Sequence, residues 1–254
     1  MILDAFKLHG KVALVTGGNR GLGQAMAVAL AEAGAEVAVT SRSGEAVDTL
    51  AVIEQAGRRG MALAADFSEP GVGPGLVDRV VAELGRLDIL VNNAGTITRA
   101  PALEYSGDDW DFILDVNLNS VWVLSQATAR QMVKQGNGGR IINIASLLSF
   151  QGGITVPAYT VAKHALAGLT KALANEWAPL GINVNAIAPG YMATDNTEAL
   201  RHDPNRSRQI LERIPMGRWG NPDDMAGAVV FLASAACSYV HGHILVVDGG
   251  WLGR

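Results

Sequence analysis

The residues of this 254-residue chain best suited to chemistry are Tyr159 and Lys163, in the stretch Tyr159-Thr160-Val161-Ala162-Lys163, read together with Ser146 upstream. Pro157 fits a first helical position, because its φ is already fixed near the helical value and its missing N–H has no partner to lose there. In a helix opened at Pro157, Tyr159 and Lys163 stand one turn apart on the same face. An ammonium held beside a phenol favours phenolate and lowers the tyrosine pKa from about 10. Such a tyrosine can exchange a proton near neutral pH. By itself a Tyr-x-x-x-Lys spacing is an ordinary surface pair worth about 0.3 kcal/mol. Its meaning depends on the elements that carry it.

Apolar runs at 11–16, 36–40, 61–65, 88–91, 140–145, 182–188 and 244–247 predict seven strands. Helical patterns at 24–33, 45–56, 76–84, 108–135, 157–178 and 221–235 alternate with them, the last with Asn221 as N-cap and Pro222 at the first helical position. Strands that are apolar on both faces and alternate with helices imply an α/β fold: a doubly wound, seven-stranded parallel sheet with helices on both faces, a Rossmann fold. An eight-fold barrel needs one more repeat.

The first strand runs into Thr16-Gly17-x-x-x-Gly21-x-Gly23 and then a helix. Glycines there make the turn, let main chain approach a pyrophosphate and let the helix pack closely, while the helix N-terminus favours an anion. A dinucleotide is the expected ligand. The second strand ends in Val39-Thr40-Ser41-Arg42, without the acid that holds a free adenosine ribose. Arg42 and Arg20 can converge on a 2′-phosphate through charge-assisted hydrogen bonds. NADP(H) is therefore favoured, with NAD(H) remaining open.

With 49% hydrophobic and 17% charged residues and 30 glycines, the composition is globular and turn-rich. A net charge of -4 gives no basic footprint for nucleic acid. No apolar run approaches the ~18 residues of a membrane span. A single cysteine, Cys237, and the lack of a cationic apolar leader point to a reducing cytoplasm. With no linker or repeat, one domain over 1–254 is expected. His241 and His243 could share a strand face, but no acid or cysteine completes a metal site, and none is expected. His164 reads as a packing residue.

With these pieces in order, the chain resembles the short-chain dehydrogenase/reductase family over essentially its whole length. The carrying motifs are Thr16 to Gly23, Asp66, Asn92-Asn93-Ala94-Gly95, Asn117, Ser146, Tyr159 with Lys163, and Pro189-Gly190 with Thr194. The resemblance implies a catalytic set of Asn117, Ser146, Tyr159 and Lys163. Tyr159 would be general acid or base, Lys163 would hold the nicotinamide ribose, Ser146 would bond the substrate oxygen, and Asn117 would keep a water in a proton relay. It also implies that cofactor is lined by Gly17, Asn19, Arg20, Gly21, Leu22 and Gly23, by Ser41, Arg42, Asp66 and Phe67, by Asn93, Ala94 and Gly95, and by Pro189, Gly190, Met192 and Thr194 together with Tyr159 and Lys163.

Within the family the chain is most similar to a sugar-acid branch, through Ala145 to Gly153, Asn175 to Trp177, Ala188 to Thr197, Arg213 to Gly220 and Val247 to Trp251. The implied reaction is at C5 of a sugar acid such as 2-dehydro-3-deoxy-D-gluconate or gluconate. Ser41-Arg42 departs from that branch and leaves its cofactor preference open. The polar segment 191–216 reads as a substrate lid. Candidate substrate residues are Arg99, Ser146, Gln151, Tyr159, Asn196 and Arg201, with Arg206, Arg208 and Arg213 as further lid cations. A homotetramer is implied by the resemblance. Val121, Leu124, Leu166, Leu169 and Leu173 fit either a helix-paired interface or packing on the sheet. Two rival readings are a 3-oxoacyl-thioester reductase and a non-catalytic NADP-binding regulator.

Overall fold

A computed structural model describes residues 1–254. The elements run β1 (Val12–Val15), α1 (Gly21–Glu32), β2 (Glu36–Ser41), α2 (Val47–Gln55), β3 (Gly60–Ala64), α3 (Val72–Leu84), β4 (Ile89–Asn92), α4 (Gly107–Leu114), α5 (Ser120–Gln135), β5 (Gly139–Ile144), α6 (Pro157–Trp177), β6 (Ile182–Pro189), α7 (Glu198–His202), α8 (Pro204–Arg213), α9 (Ala226–Ala233) and β7 (Ile244–Val247). All strand pairings are parallel, in the order β3-β2-β1-β4-β5-β6-β7. The chain winds from β1 out to β3, crosses back to β4 beside β1, and continues to β7. Loops at that reversal part to opposite faces and leave a crevice at the C-terminal strand ends.

Alternation along each strand feeds two cores. In β1, Ala13 and Val15 pack with Met26, Leu30, Ile53 and Val229, whereas Val12 and Leu14 pack with Leu76, Val80, Leu124 and Trp177. Helices α1, α2 and α9 thus cover one face and α3, α5 and α6 the other. Coverage on both sides explains why β1, β4 and β6 are wholly buried and largely apolar, with Asn92, Asn183 and Asn185 as their polar residues. Truncating a fully buried residue such as Leu14 or Leu90 costs about 2–5 kcal/mol.

Several expectations need correction. The helix expected over 108–135 is α4 and α5 joined by a π-helical turn, Asp115–Asn119. The helix after Asn221 starts as a 3-10 turn, Pro222–Met225, and ends at Ala233. Helix α3 begins earlier than expected because Gly73, Pro74 and Gly75 mask its periodicity. The lid is not an irregular loop: it folds into α7 and α8, with the Asp203 carboxylate accepting from the Asn205 and Arg206 amides and Pro204 at the first helical position. Val121, Leu124, Leu166 and Leu173 are buried and serve packing within the subunit; Phe112, Trp122, Val133 and Val161 are large apolar residues that α4, α5 and α6 leave exposed. His241 and His243 precede β7 rather than sharing its face. His164 is exposed, with Nδ1 3.0 Å from the Thr160 carbonyl, and fills no packing site. No helix is long and apolar enough to cross a membrane.

Candidate active site

The strand C-termini open into a cleft of about 1330 Å³. The β1–α1 turn contributes Gly17, Asn19, Arg20, Gly21, Leu22 and Gly23, and the end of β2 contributes Ser41 and Arg42. Asp66 and Phe67 follow β3, Asn93, Ala94 and Gly95 follow β4, and Pro189, Gly190, Met192 and Thr194 come at and after the end of β6. Asn117, Ser146, Tyr159 and Lys163 line the same cleft, as do Arg99, Gln151 and Asn196. Arg201 does not: its guanidinium donates to the Thr194 carbonyl at 3.3 Å and braces the lid.

A main-chain cradle forms the floor. A Cβ on Gly23 would lie 2.1 Å from the Gly17 carbonyl oxygen, so no other residue lets α1 start this close to β1. The Gly17 amide donates to Thr40 Oγ1 at 3.1 Å, and Thr49 Oγ1 donates to the Gly18 carbonyl at 3.0 Å, which ties the turn to β2 and α2. Thr16 Oγ1 accepts from the Asn93 and Ala94 amides, both at 2.9 Å, and the Asn93 amide group donates back to the Thr16 and Gly17 carbonyls. The two loops that flank the crevice are thereby locked together. Around the end of β2 the donors are Ser41, Arg42 and Ser43, with no carboxylate among them, a set that fits a phosphorylated adenosine ribose. The acid after β3, Asp66, accepts from Ser68 and faces Arg42, which together hold its carboxyl below the usual range. These residues fit NADP(H).

The reacting groups come from three elements. Ser146 follows β5, and its Oγ accepts from the Leu148 amide at 3.1 Å. In α6 the buried stripe includes Ala158, Ala162, Lys163, Leu166 and Ala167, which carries the lysine inward. Its Nζ donates to the Ile144 carbonyl at 2.7 Å and lies 5.4 Å from the Tyr159 ring centroid. Asn117 sits in the π-turn, where its Nδ2 donates to the Ile113 and Thr96 carbonyls at 2.9 Å each. Its Oδ1 would lie 2.8 Å from a Cβ on Gly95, so the glycine is what admits it.

Electrostatics here departs from the expectation drawn from the Tyr-x-x-x-Lys spacing. Burial pushes the Tyr159 phenol up, and the Ser146 hydroxyl and the Arg99 guanidinium pull it partly back. Burial also lowers Lys163 to about 8. The lysine donates to the Ile144 carbonyl with its ammonium close to the Tyr159 ring, and burial outweighs the neighbouring groups in setting the direction of the tyrosine's shift. Spacing along a helix fixes neighbours, but the partner each head group chooses depends on what the sheet offers.

Other supporting residues carry little sequence signal. Asn92 Nδ2 donates to Ser125 Oγ at 3.0 Å and Asn143 Oδ1 at 2.8 Å, and Asn143 Nδ2 donates to Thr170 Oγ1 at 2.9 Å. This buried chain braces β4 and β5 against α5 and α6 behind the cleft. A polar residue inside an apolar strand, as at Asn92 and Asn143, is the one cue that could have revealed it. Arg20 forms a 2.9 Å ion pair with Asp195 of the lid, both mostly exposed, so the lid competes with any anion for that arginine. On the lid side Trp251 packs on Tyr191 at 4.6 Å between centroids and is only 5% exposed, and its indole N–H has no partner.

A family model described as enoyl-(acyl carrier protein) reductase matches residues 17–252. A 2-dehydro-3-deoxy-D-gluconate 5-dehydrogenase of Dickeya dadantii is 56% identical over 254 residues, covering 100% of both chains. A crystal structure from Agrobacterium tumefaciens with bound NADP is 56% identical, covers 98% of this chain and 99% of its own, and superposes with a TM-score of 0.93. That of a gluconate 5-dehydrogenase from Burkholderia cenocepacia, in complex with NADP and tartrate, is 40% identical over 100% of both chains with a TM-score of 0.95. With the cleft at the sheet's reversal and its ordered motifs, these matches establish that the chain belongs to the short-chain dehydrogenase/reductase family of NAD(P)-dependent oxidoreductases.

Proposed function

We propose that this protein moves a hydride between NADP(H) and C5 of a sugar acid such as 2-dehydro-3-deoxy-D-gluconate or gluconate. The carrying observation is that Ser146, Tyr159 and Lys163 line one cleft with a glycine cradle whose adenosine end is basic. The arrangement of donors supports NADP(H) as the preferred cofactor, and NAD(H) is the weaker alternative. The bound dinucleotide would supply or accept the hydride.

In the reductive direction Ser146 Oγ donates a hydrogen bond to the ketone oxygen, and Tyr159 Oη gives that oxygen its proton as the carbon is reduced. Oxidation returns the proton to the phenolate. A raised tyrosine pKa keeps the phenol protonated and suits it to the acid role; the Arg99 guanidinium stabilises the phenolate left behind. Lys163 holds the nicotinamide ribose and Asn117 the water that returns a proton to the site. Arg99, Gln151 and Asn196 are the substrate-side residues of this reading, and Arg201 is not among them.

One unit over 1–254 carries the activity, with 191–216 as its lid. A homotetramer in the cytoplasm completes the reading; the exposed Phe112, Trp122 and Val161 on α4, α5 and α6 supply an apolar surface for helix pairing. A spectrophotometric screen of keto sugar acids against NADPH and NADH tests the function. The expected result is turnover of a 5-keto sugar acid with NADPH preferred, and none with an acetoacetyl thioester. Thioester reduction without sugar-acid turnover would overturn the reading.

A further inference from the structure

We infer that Arg213, held over Trp251 and joined to Gln151, binds the carboxylate of the sugar acid at the end remote from the reacting carbon. This deepens the function proposed above and rests on it. The argument starts from the cations around the lid. Arg201 and Arg208 do not line the cleft, and Arg208 pairs with Glu212 along its own helix. Arg206 lines it but donates to Gln209 on the same helix at 2.8 Å. Arg20 is bound to Asp195, and Arg99 donates through Nη2 to the Asn196 carbonyl at 3.2 Å and also acts on the Tyr159 phenol at the reacting end.

Arg213 differs in what holds it. It lines the cleft, takes part in no ion pair, and reaches from the end of α8 across to the segment after Ser146, where Nη2 donates to Gln151 Oε1 at 3.3 Å. Its Cζ lies 4.0 Å from the Trp251 ring centroid, so the guanidinium plane is held by a buried aromatic and loses little freedom when it binds. Arg254 Nε donates to the Arg213 carbonyl at 3.1 Å and fixes the main chain beneath it.

Location follows from packing. Gln151 belongs to the turn that begins at Ser146, since its amide donates to the Leu147 carbonyl at 3.2 Å. Leu147, adjacent to Ser146, packs in one cluster with Ile210, Ile214 and Trp251. The Arg213 platform is therefore on the substrate side of the cleft, away from the glycine cradle. A planar, unpaired guanidinium with a neighbouring amide matches a carboxylate bidentately. A substrate anchored there by its acid end would present the opposite end of its chain to Tyr159.

The test compares wild type, Arg213→Ala, Arg213→Gln and Arg206→Ala on a sugar acid and on the neutral ketose of matching stereochemistry, both with NADPH. Removing the charge should lower the acid-to-neutral ratio of kcat/KM about 10- to 100-fold, through KM for the acid, in both Arg213 variants. Arg206→Ala should keep the wild-type ratio. Wild-type turnover of the acid with an unchanged ratio in the Arg213 variants overturns the clamp and leaves the proposed function standing. A wild type that turns over no sugar acid removes both.

Discussion

At the glycine-loop end of the cleft the walls are main chain and buried hydroxyls, whereas at the lid end they are arginines, aromatic rings and short helices open to water. The Gly17 to Gly23 turn is held by Thr16, Thr40, Thr49 and Asn93, each bonding a defined carbonyl or amide. Across the cleft the lid is held by an exposed Arg20–Asp195 pair and a stacked Arg213–Trp251 pair. Contacts of the first kind cannot shift without steric or desolvation cost, while those of the second exchange partners with water and ligand at little cost. The rigid end thus fixes where the chemistry happens, and the adaptable end selects what enters.

Changes at the rigid end should therefore have the larger effects. Replacing Tyr159 with Phe removes the transferable proton and should lower kcat about 10²- to 10⁴-fold, while NADPH affinity by fluorescence titration stays near wild type. Retained turnover would take the tyrosine out of the mechanism.

Lys163 gives a pH signature. Its pKa is about 8 in the fold against 10.5 for a free lysine side chain, so below pH 8 both states are protonated and the burial penalty is complete. Between these values the folded state has released a proton that the unfolded chain still binds, so stability rises with pH. Denaturant unfolding should show wild type gaining about 3 kcal/mol relative to Lys163→Met between pH 7 and 10.5. A flat difference would mean that the ammonium is not buried.

Gly23→Ala drives a Cβ onto the Gly17 carbonyl and should cost about 1–3 kcal/mol, read as a lower Tm together with weaker NADPH binding. At the edge of the cradle, Arg42→Ala should reduce the NADPH-to-NADH preference about tenfold, and an unchanged ratio would reassign 2′-phosphate binding to Arg20 alone. The smallest effect belongs to the lid. Asp195→Asn frees Arg20 for phosphate and should tighten NADPH about two- to fivefold at low salt, less at high salt. An Asp195 effect as large as that of Arg42 would abolish the distinction between the two ends.

How much was legible in the sequence divides along the same line. β7 lies at the expected residues, α6 opens at Pro157, and the glycine turn lies between β1 and α1, because periodicity, a fixed φ and a position that admits no Cβ are recorded in residue types. The π-turn around Asn117 was not legible: a single π-turn within a longer helical stretch spans too few residues to change its apolar pattern, and the Thr96 carbonyl that the Asn117 side chain takes comes from a distant loop. Nor were α7 and α8: the first is 5 residues long and buries none of them, and the second buries only Ile210.

The seven strands with their alternating helices, the glycine turn after β1 and the one-turn spacing of Tyr159 and Lys163 were legible in the sequence itself, since each depends on spacing along one segment or on the repeat of strand and helix; Asn117 and Ser146 were singled out only by the family resemblance. Tertiary structure decided the rest: that Lys163 bonds the Ile144 carbonyl, that Arg99 from a distant loop acts on the phenol, and that Arg213 rather than Arg201 faces the cleft. A side chain's charge state and partner are sums over burial and groups brought from distant segments, and those sums exist only once the chain has folded.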